Sequence, residues 1–297
     1  MTRQIPELAW LKGCGIFLCS LSFLSVLDVL AKDLVQRNSP PLVNLTRYAV
    51  IVVLSSCLML AKRVPFVVAR PERNLLIARG AVLGLVGICF MPALQYLPLG
   101  EATALYFLSP LIVVLLAPLV LGERVRLKQY LAVLVGMAGM LLIVRPGSTL
   151  SPIGCGLMLI AAFCYAMVQL LTRKLTHRVM SEQQFFYAAI TCAPMGFAVL
   201  WLFWPKVWPD THDVIELILM GLCGGLGQYL LIHAFKYVPA SILAPINYFQ
   251  LVLAVIFSQL IFDQTPTLLS LVGILLIAAA GLSLTLPMLL GYVRKNR

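Results

Sequence analysis

The sequence predicts an all-α membrane protein, with ten transmembrane helices arranged as two inverted-topology five-helix repeats. Three observations carry that expectation. Of the 297 residues, 61% are hydrophobic and 11% charged, against about 25% charged in an ordinary soluble domain. The apolar residues fall into ten stretches, each near the roughly 20 residues a helix needs to cross a bilayer. The chain also matches itself at an offset of 141 residues.

Taken in order, the stretches lie at about 10–32, 40–61, 74–97, 101–121, 128–145, 152–173, 183–204, 214–237, 240–262 and 268–290. Backbone polar groups in lipid must be satisfied within the segment, so such runs are helices. Turn chemistry separates them: Asn38-Ser39-Pro40-Pro41, Pro71, Pro98-Leu99-Gly100, Gly122-Glu123-Arg124, Pro146-Gly147-Ser148, Trp208-Pro209-Asp210 and Asp263-Gln264-Thr265-Pro266. The first stretch has no small-residue cleavage site and carries Asp28 and Lys32 near its end, so it reads as an uncleaved span. What remains suffices only for short loops, which disfavours a cytosolic enzyme, a receptor with a large ectodomain and a nucleic-acid-binding module. The eight cysteines show no C-x-x-C spacing or histidine partner and read as small buried hydrophobes.

The net charge of +11 is topological. With the N-terminus in the cytoplasm, 17 of the 22 Lys and Arg fall in the tails and inner loops, including Lys62, Arg63, Arg70, Arg73 and Arg79 in loop 2–3. Lys32, Arg37, Arg47, Arg145 and Lys206 lie on or near the outer side. The positive-inside rule therefore places both termini in the cytoplasm. Trp201, Trp204 and Trp208 cluster at the outer end of span 7, as interfacial aromatics do.

The offset begins with Gly13-Cys14-Gly15 on Gly154-Cys155-Gly156 and carries Lys32 onto Arg173, Gly80 and Gly84 onto Gly221 and Gly225, and Pro98 onto Pro239. One extra residue later aligns Gly139 with Gly281. A run this long reads as a duplication, with repeats at 1–148 and 149–297. An odd number of spans per repeat makes the second copy enter from the opposite face, and inverted halves suit alternating access around a midplane site. The architecture thus points to a secondary transporter rather than a channel or membrane enzyme.

The residues also carry a resemblance. Tyr96-Leu97-Pro98-Leu99-Gly100-Glu101-Ala102-Thr103-Ala104, Ser109-Pro110-Leu111, Leu121-Gly122-Glu123-Arg124 and Gly136-Met137-Ala138-Gly139 resemble the EamA-type repeat of the drug/metabolite transporter superfamily. Val238-Pro239-Ala240-Ser241-Ile242-Leu243-Ala244-Pro245, Tyr248 and Phe262-Asp263-Gln264 resemble the second repeat, Gln264 replacing the more usual acidic residue. The resemblance covers essentially the whole chain. It implies ten helices, a bacterial inner membrane and transport of a small metabolite. Asp28 with Lys32 and Arg47 is similar to members that take up S-adenosylmethionine-like or flavin-like metabolites, while other relatives export amino acids and their derivatives.

Ionisable groups within spans are expensive and need a partner or a wet cavity. Asp28 on span 1 and Arg47 on span 2 fall at comparable depth on antiparallel neighbours and can pair, as a structural bridge or as a binding or gating pair. Lys32, one turn from Asp28, either shares that carboxylate or snorkels to the interface. Glu101 opens span 4, where it caps the helix or meets a cation or proton. The repeat sets Tyr106 opposite Asn247, with Tyr248 adjacent and Pro110 and Pro245 nearby. Tyr106, Asn247, Tyr248, Arg47 and Gln95 are the candidate substrate-binding residues; Asp28, Glu101 and His233 are the candidates for coupling or gating. For each the alternative is packing or an interhelical hydrogen bond. No cofactor, metal or catalytic residue is expected: Walker, H-E-x-x-H and G-x-S-x-G motifs are lacking. The expected partners are a small-molecule metabolite, the lipid bilayer and protons as a coupling ion, with no nucleic acid, in a monomer or homodimer. The alternative is a membrane-embedded enzyme acting on lipid-linked substrates.

Overall fold

The computed structural model describes residues 7–121, 127–143, 150–175, 178–205, 208–234, 237, 246 and 248–295. Among them every regular element is a helix: α1 (Glu7–Arg37), α2 (Pro40–Ala61), α3 (Glu72–Tyr96), α4 (Leu99–Tyr106), α5 (Ser109–Leu121), α6 (Leu127–Ile143), α7 (Pro152–Leu175), α8 (Ser181–Leu202), α9 (Thr211–Ala234), α10 (Phe249–Phe262) and α11 (Leu268–Lys295). Seven described stretches are long and apolar enough to cross a membrane, and three shorter apolar helices, Tyr130–Ile143, Phe249–Phe262 and Leu268–Ser283, stand with them. Asn247, Pro245, Lys236 and the turn residues Gly122-Glu123-Arg124 and Pro146-Gly147-Ser148 lie outside the described residues.

Local chemistry sets several boundaries. Pro40 occupies the start of α2, where its missing N–H costs nothing. The expected fourth span is broken: α4 stops at Tyr106, Phe107 and Leu108 form a turn, and α5 restarts at Ser109. Pro110 explains the break, because it has no N–H to donate and its ring would clash with the carbonyl of Tyr106, four residues back. The break leaves Tyr106 at a helix end.

Packing pairs α1 with α9, α3 with α7, α2 with α8, α6 with α11 and α4 with α10. Gly80 and Gly84 of α3 lie against Thr191 and Met195 of α8, while Gly221 and Gly225 of α9 lie against Val50 and Leu54 of α2. Gly80 and Gly221 differ by 141 positions, and so do Val50 and Thr191, so each contact is the other with the two halves exchanged. The glycines permit this closeness, since small residues let helix backbones approach in the absence of a hydrophobic driving force.

The interior is a continuous apolar cluster from α1, α3, α4, α7, α10 and α11, including the fully buried Leu94, Leu97, Leu105 and Met158. The outer surface is apolar too: Val53, Leu119, Leu202 and Leu260 are exposed, as on a lipid-facing wall. Trp201, Trp204 and Trp208 stack edge to face, exposed, at the end of α8. Two expectations need correction. Only Cys155 and Cys192 are buried, with Cys19 and Cys57 exposed on the apolar wall, where a thiol is tolerated as a small hydrophobe. Arg79 is no loop residue; it lies inside α3 and is buried because α7 and α8 supply acceptors for its guanidinium.

Candidate functional site

Several polar residues of the interior lie within reach of one another. Asp28 of α1 accepts a hydrogen bond from Gln250 Nε2 of α10 at 2.8 Å. Arg47 of α2 donates from Nη2 to Asn44 Oδ1 at 3.2 Å, and its guanidinium lies 4.5 Å above the Tyr48 ring. The Tyr48 hydroxyl donates to the Leu83 carbonyl of α3 at 3.3 Å. Arg47 has room because the helices beside it carry glycine. A Cβ on Gly87 of α3 would stand 3.0 Å from Arg47 Nη2, and one on Gly224 of α9 would touch its aliphatic stem. Arg47 Nε is buried with no hydrogen-bond partner among the described residues. Asp28 and Arg47 are within electrostatic reach of one another, yet the expected ion pair is not formed in this conformation; Gln250 takes the carboxylate instead.

Tyr106, at the end of α4, stacks on Tyr165 of α7 with centroids 4.9 Å apart and meets the edge of Phe90 of α3 at 5.1 Å. It also lies within electrostatic reach of Asp28, Arg47 and Tyr48. Beyond this aromatic wall Arg79 donates from Nε to Thr172 Oγ1 at 2.6 Å and from Nη1 to the Gln184 carbonyl at 3.3 Å. One cluster of side chains thus carries an acid, Asp28, two guanidinium groups, Arg47 and Arg79, and a tyrosine stack. Such a set can hold a carboxylate, an ammonium and a flat ring together.

The other candidates lie elsewhere. Tyr248 is buried against Phe107 and Gly281. Gln95 donates to the Val35 carbonyl. Glu101, buried in the first turn of α4, is in hydrogen-bonding reach of Ser270 of α11. His233 sits between the rings of Tyr229 and Tyr237, at 5.8 and 5.4 Å. Lys62, the C-cap of α2, reaches Glu182 of α8 at 2.8 Å and Tyr229 at 3.1 Å, and these hydrogen bonds, that to Glu182 foremost, raise its amine above the usual lysine range.

Lys32 neither shares the Asp28 carboxylate nor snorkels. It is buried and donates to the carbonyls of Leu94 and Leu97 at 2.6 and 2.7 Å, satisfying the C-terminal carbonyls of α3. Arg79 and Tyr165 are the residues of this cluster that sequence reasoning missed. Arg79 had a signal, an arginine seven residues inside a helix that starts at Glu72, flanked by Leu76, Ile77, Ala81 and Val82. Tyr165 had none, because its role depends on which helix faces α4.

At the end of the bundle where α1 meets α2 and α3 meets α4, here the upper face, Arg37 of α1 pairs with Asp33 and with Asp213 and Glu216 of α9. His212, Asp213 and Glu216 are grouped closely enough to hold a cation, and Arg37 already engages both carboxylates. The same face contains a cavity of about 330 Å³ between α1, α3 and the end of α10.

Residues 11–145, and again residues 152–286, match the family described as the EamA-like transporter family. The chain is a member of that family. This EamA protein is similar over 92% of its length to the S-adenosylmethionine uptake transporter of Rickettsia prowazekii (strain Madrid E), at 27% identity and covering 92% of that protein. It is 28% identical to the pseudopaline exporter CntI of Pseudomonas aeruginosa (strain UCBPP-PA14), over 76% of this chain and 80% of that one. It is 27% identical to an uncharacterized transporter of Helicobacter pylori (strain ATCC 700392 / 26695), over 73% and 75%. A solved crystal structure shares the fold with a TM-score of 0.67 at 21% identity, covering 93% of this chain and 97% of the other. Family and relatives make this a membrane-embedded metabolite transporter of the drug/metabolite transporter superfamily, not an enzyme, and a multi-pass bacterial membrane protein.

Proposed function

We propose that this EamA transporter carries a small zwitterionic metabolite derived from an amino acid, of the S-adenosylmethionine kind, across the bacterial inner membrane by alternating access. The observation that carries this reading is the cluster of buried Asp28, Arg47 and the Tyr106–Tyr165 stack, which would line a central chamber. Arg47, with an unengaged buried Nε, binds the carboxylate; Asp28 binds the ammonium by exchanging its Gln250 partner; the tyrosines take the flat portion. Arg79 is a second anion station deeper in the path. Asn247, which the repeat sets opposite Tyr106, is a further candidate contact from the second half, and Tyr248 packs behind Phe107. The names of the S-adenosylmethionine uptake relatives agree with a substrate of this chemistry.

The architecture proposed is ten spans in two inverted repeats, 1–148 and 149–297, with both termini cytoplasmic, so the upper face is the outer one. The exchanged contacts of Gly80 with Thr191 and Gly221 with Val50 support it, as does the excess of Lys and Arg in the tails and lower loops. A fixed site between such halves opens to one side and then the other. Protonation of Asp28, which would release the ammonium, couples transport to protons; Glu101 and His233 gate it.

Counterflow in proteoliposomes loaded with S-adenosylmethionine, riboflavin or single amino acids tests this. The expected result is exchange of a zwitterion that Asp28→Asn and Arg47→Met each abolish. Exchange restricted to solutes lacking either an ammonium or a carboxylate would refute the substrate class.

A further inference from the structure

The upper cavity has a composition that the central chamber does not explain. Its polar wall is Lys32, Gln36, Gln95 and Gln264, and Pro98 and Phe262 form an apolar side. Lys32 spends two N–H groups on the Leu94 and Leu97 carbonyls, and an ammonium has a third. Gln36 donates its amide nitrogen to the Leu94 and Gln95 carbonyls, and Gln95 donates its own to Val35. Gln36 thereby uses both of its amide N–H groups and Gln95 one of its two, which leaves both side-chain oxygens as acceptors. Gln264 Oε1 is buried with no hydrogen-bond partner among the described residues, a costly state unless something else occupies it. The cavity therefore brings three amide acceptors and one cationic donor together with apolar surface.

We infer that this cavity is a second, peripheral binding site, which takes the α-amino-acid head of a ligand before it reaches the central chamber. The ammonium is held by the oxygens of Gln36, Gln95 and Gln264, the carboxylate by the remaining Lys32 N–H, and the side chain lies on Pro98 and Phe262. The volume of about 330 Å³ accommodates such a head and several further heavy atoms. Lys32 is one helical turn from Asp28 along α1, on the side of the upper face. Glutamine in place of an acid at 264 suits this role: a carboxylate there would pair with Lys32 and repel the ligand's own. The inference rests on the zwitterion reading of the central chamber.

The test is scintillation-proximity binding of radiolabelled L-methionine to the full-length protein in lipid nanodiscs. The Asp28→Asn/Arg47→Met variant, with the central site disabled, should still bind it. Adding Gln264→Leu, or separately Lys32→Met, should weaken that binding about tenfold or more, and L-methionine methyl ester and N-acetyl-L-methionine should compete at least about tenfold less well. Gln264→Leu removes no contact made by Lys32, so it decides the matter if Lys32→Met does not fold. Loss of all L-methionine binding in the central-site variant, or binding untouched by Gln264→Leu, would overturn the proposal. A failure of the central reading has a different sign: transport unchanged in Asp28→Asn and Arg47→Met, whatever the outer cavity binds.

Discussion

Four glycine-to-alanine substitutions should separate into two classes by what each new methyl would meet. A Cβ on Gly80 would stand 2.7 Å from Thr191 Cβ, and one on Gly221 would stand 2.7 Å from Val50 Cβ. Those walls are atoms fixed to the backbone, so the helices must separate. A Cβ on Gly84 would meet Met195 Sδ at 2.6 Å, and one on Gly225 would meet Leu54 Cδ1 at 2.5 Å. Those are ends of flexible side chains, which turn aside at little cost. Overpacking a tight contact costs about 1–3 kcal/mol, and alanine recovers up to about 1 kcal/mol of helix propensity over glycine. Gly80→Ala and Gly221→Ala should therefore lose roughly 1–2 kcal/mol, whereas Gly84→Ala and Gly225→Ala should be near neutral. SDS-induced unfolding in mixed micelles, followed by far-UV circular dichroism, reads the difference. Thr191→Gly should rescue Gly80→Ala, and Val50→Gly should rescue Gly221→Ala, because each removes the opposing Cβ. Four substitutions with the same effect, or one member of an exchanged pair behaving unlike the other, would refute the reasoning from symmetric close contact.

Tyr106→Phe should change apparent affinity modestly, since the stack on Tyr165 survives, whereas Tyr106→Ala should lose about 0.5–1.5 kcal/mol of ring contact as well; equal transport kinetics in both would place Tyr106 outside the site. A phosphatase reporter fused after Arg297 should be inactive, because it stays in the cytoplasm, while a fluorescent reporter there should be active. Lys62→Met should cost no more than about 1 kcal/mol, because the Lys62–Glu182 pair is partly exposed. The raised amine of Lys62 gives a stabilisation fully present below the unfolded lysine value, about 10.4, and lost only as pH rises through the higher folded value. The wild-type to Lys62→Met difference in unfolding midpoint should accordingly be flat between pH 6 and about pH 9; a change across neutrality would disprove that assignment.

The sequence by itself determined that this is an all-helical membrane protein of the EamA family with its domain present twice. Apolar run length, turn chemistry and a constant offset are one-dimensional patterns, and the bilayer leaves little freedom in translating them. It also singled out Asp28 and Arg47, because a charge inside an apolar run stands out, and Tyr106, because the repeat sets it opposite Asn247; the helix break after Tyr106 was not foreseen. Other assignments needed the third dimension. Lys32 is positive near a span end whether it snorkels or caps α3, and only the approach of α3 brings the Leu94 and Leu97 carbonyls within its reach. Arg79 reads as a loop charge until Thr172 and the Gln184 carbonyl are seen beside it. Tyr165 meets Tyr106, and Tyr248 packs against Phe107, because of how α7 and α10 are rotated about their axes. In a helix that is apolar on every face, hydrophobic patterning carries no information about rotation. Contact between helices decides it, through glycine notches and paired polar groups contributed by distant parts of the chain.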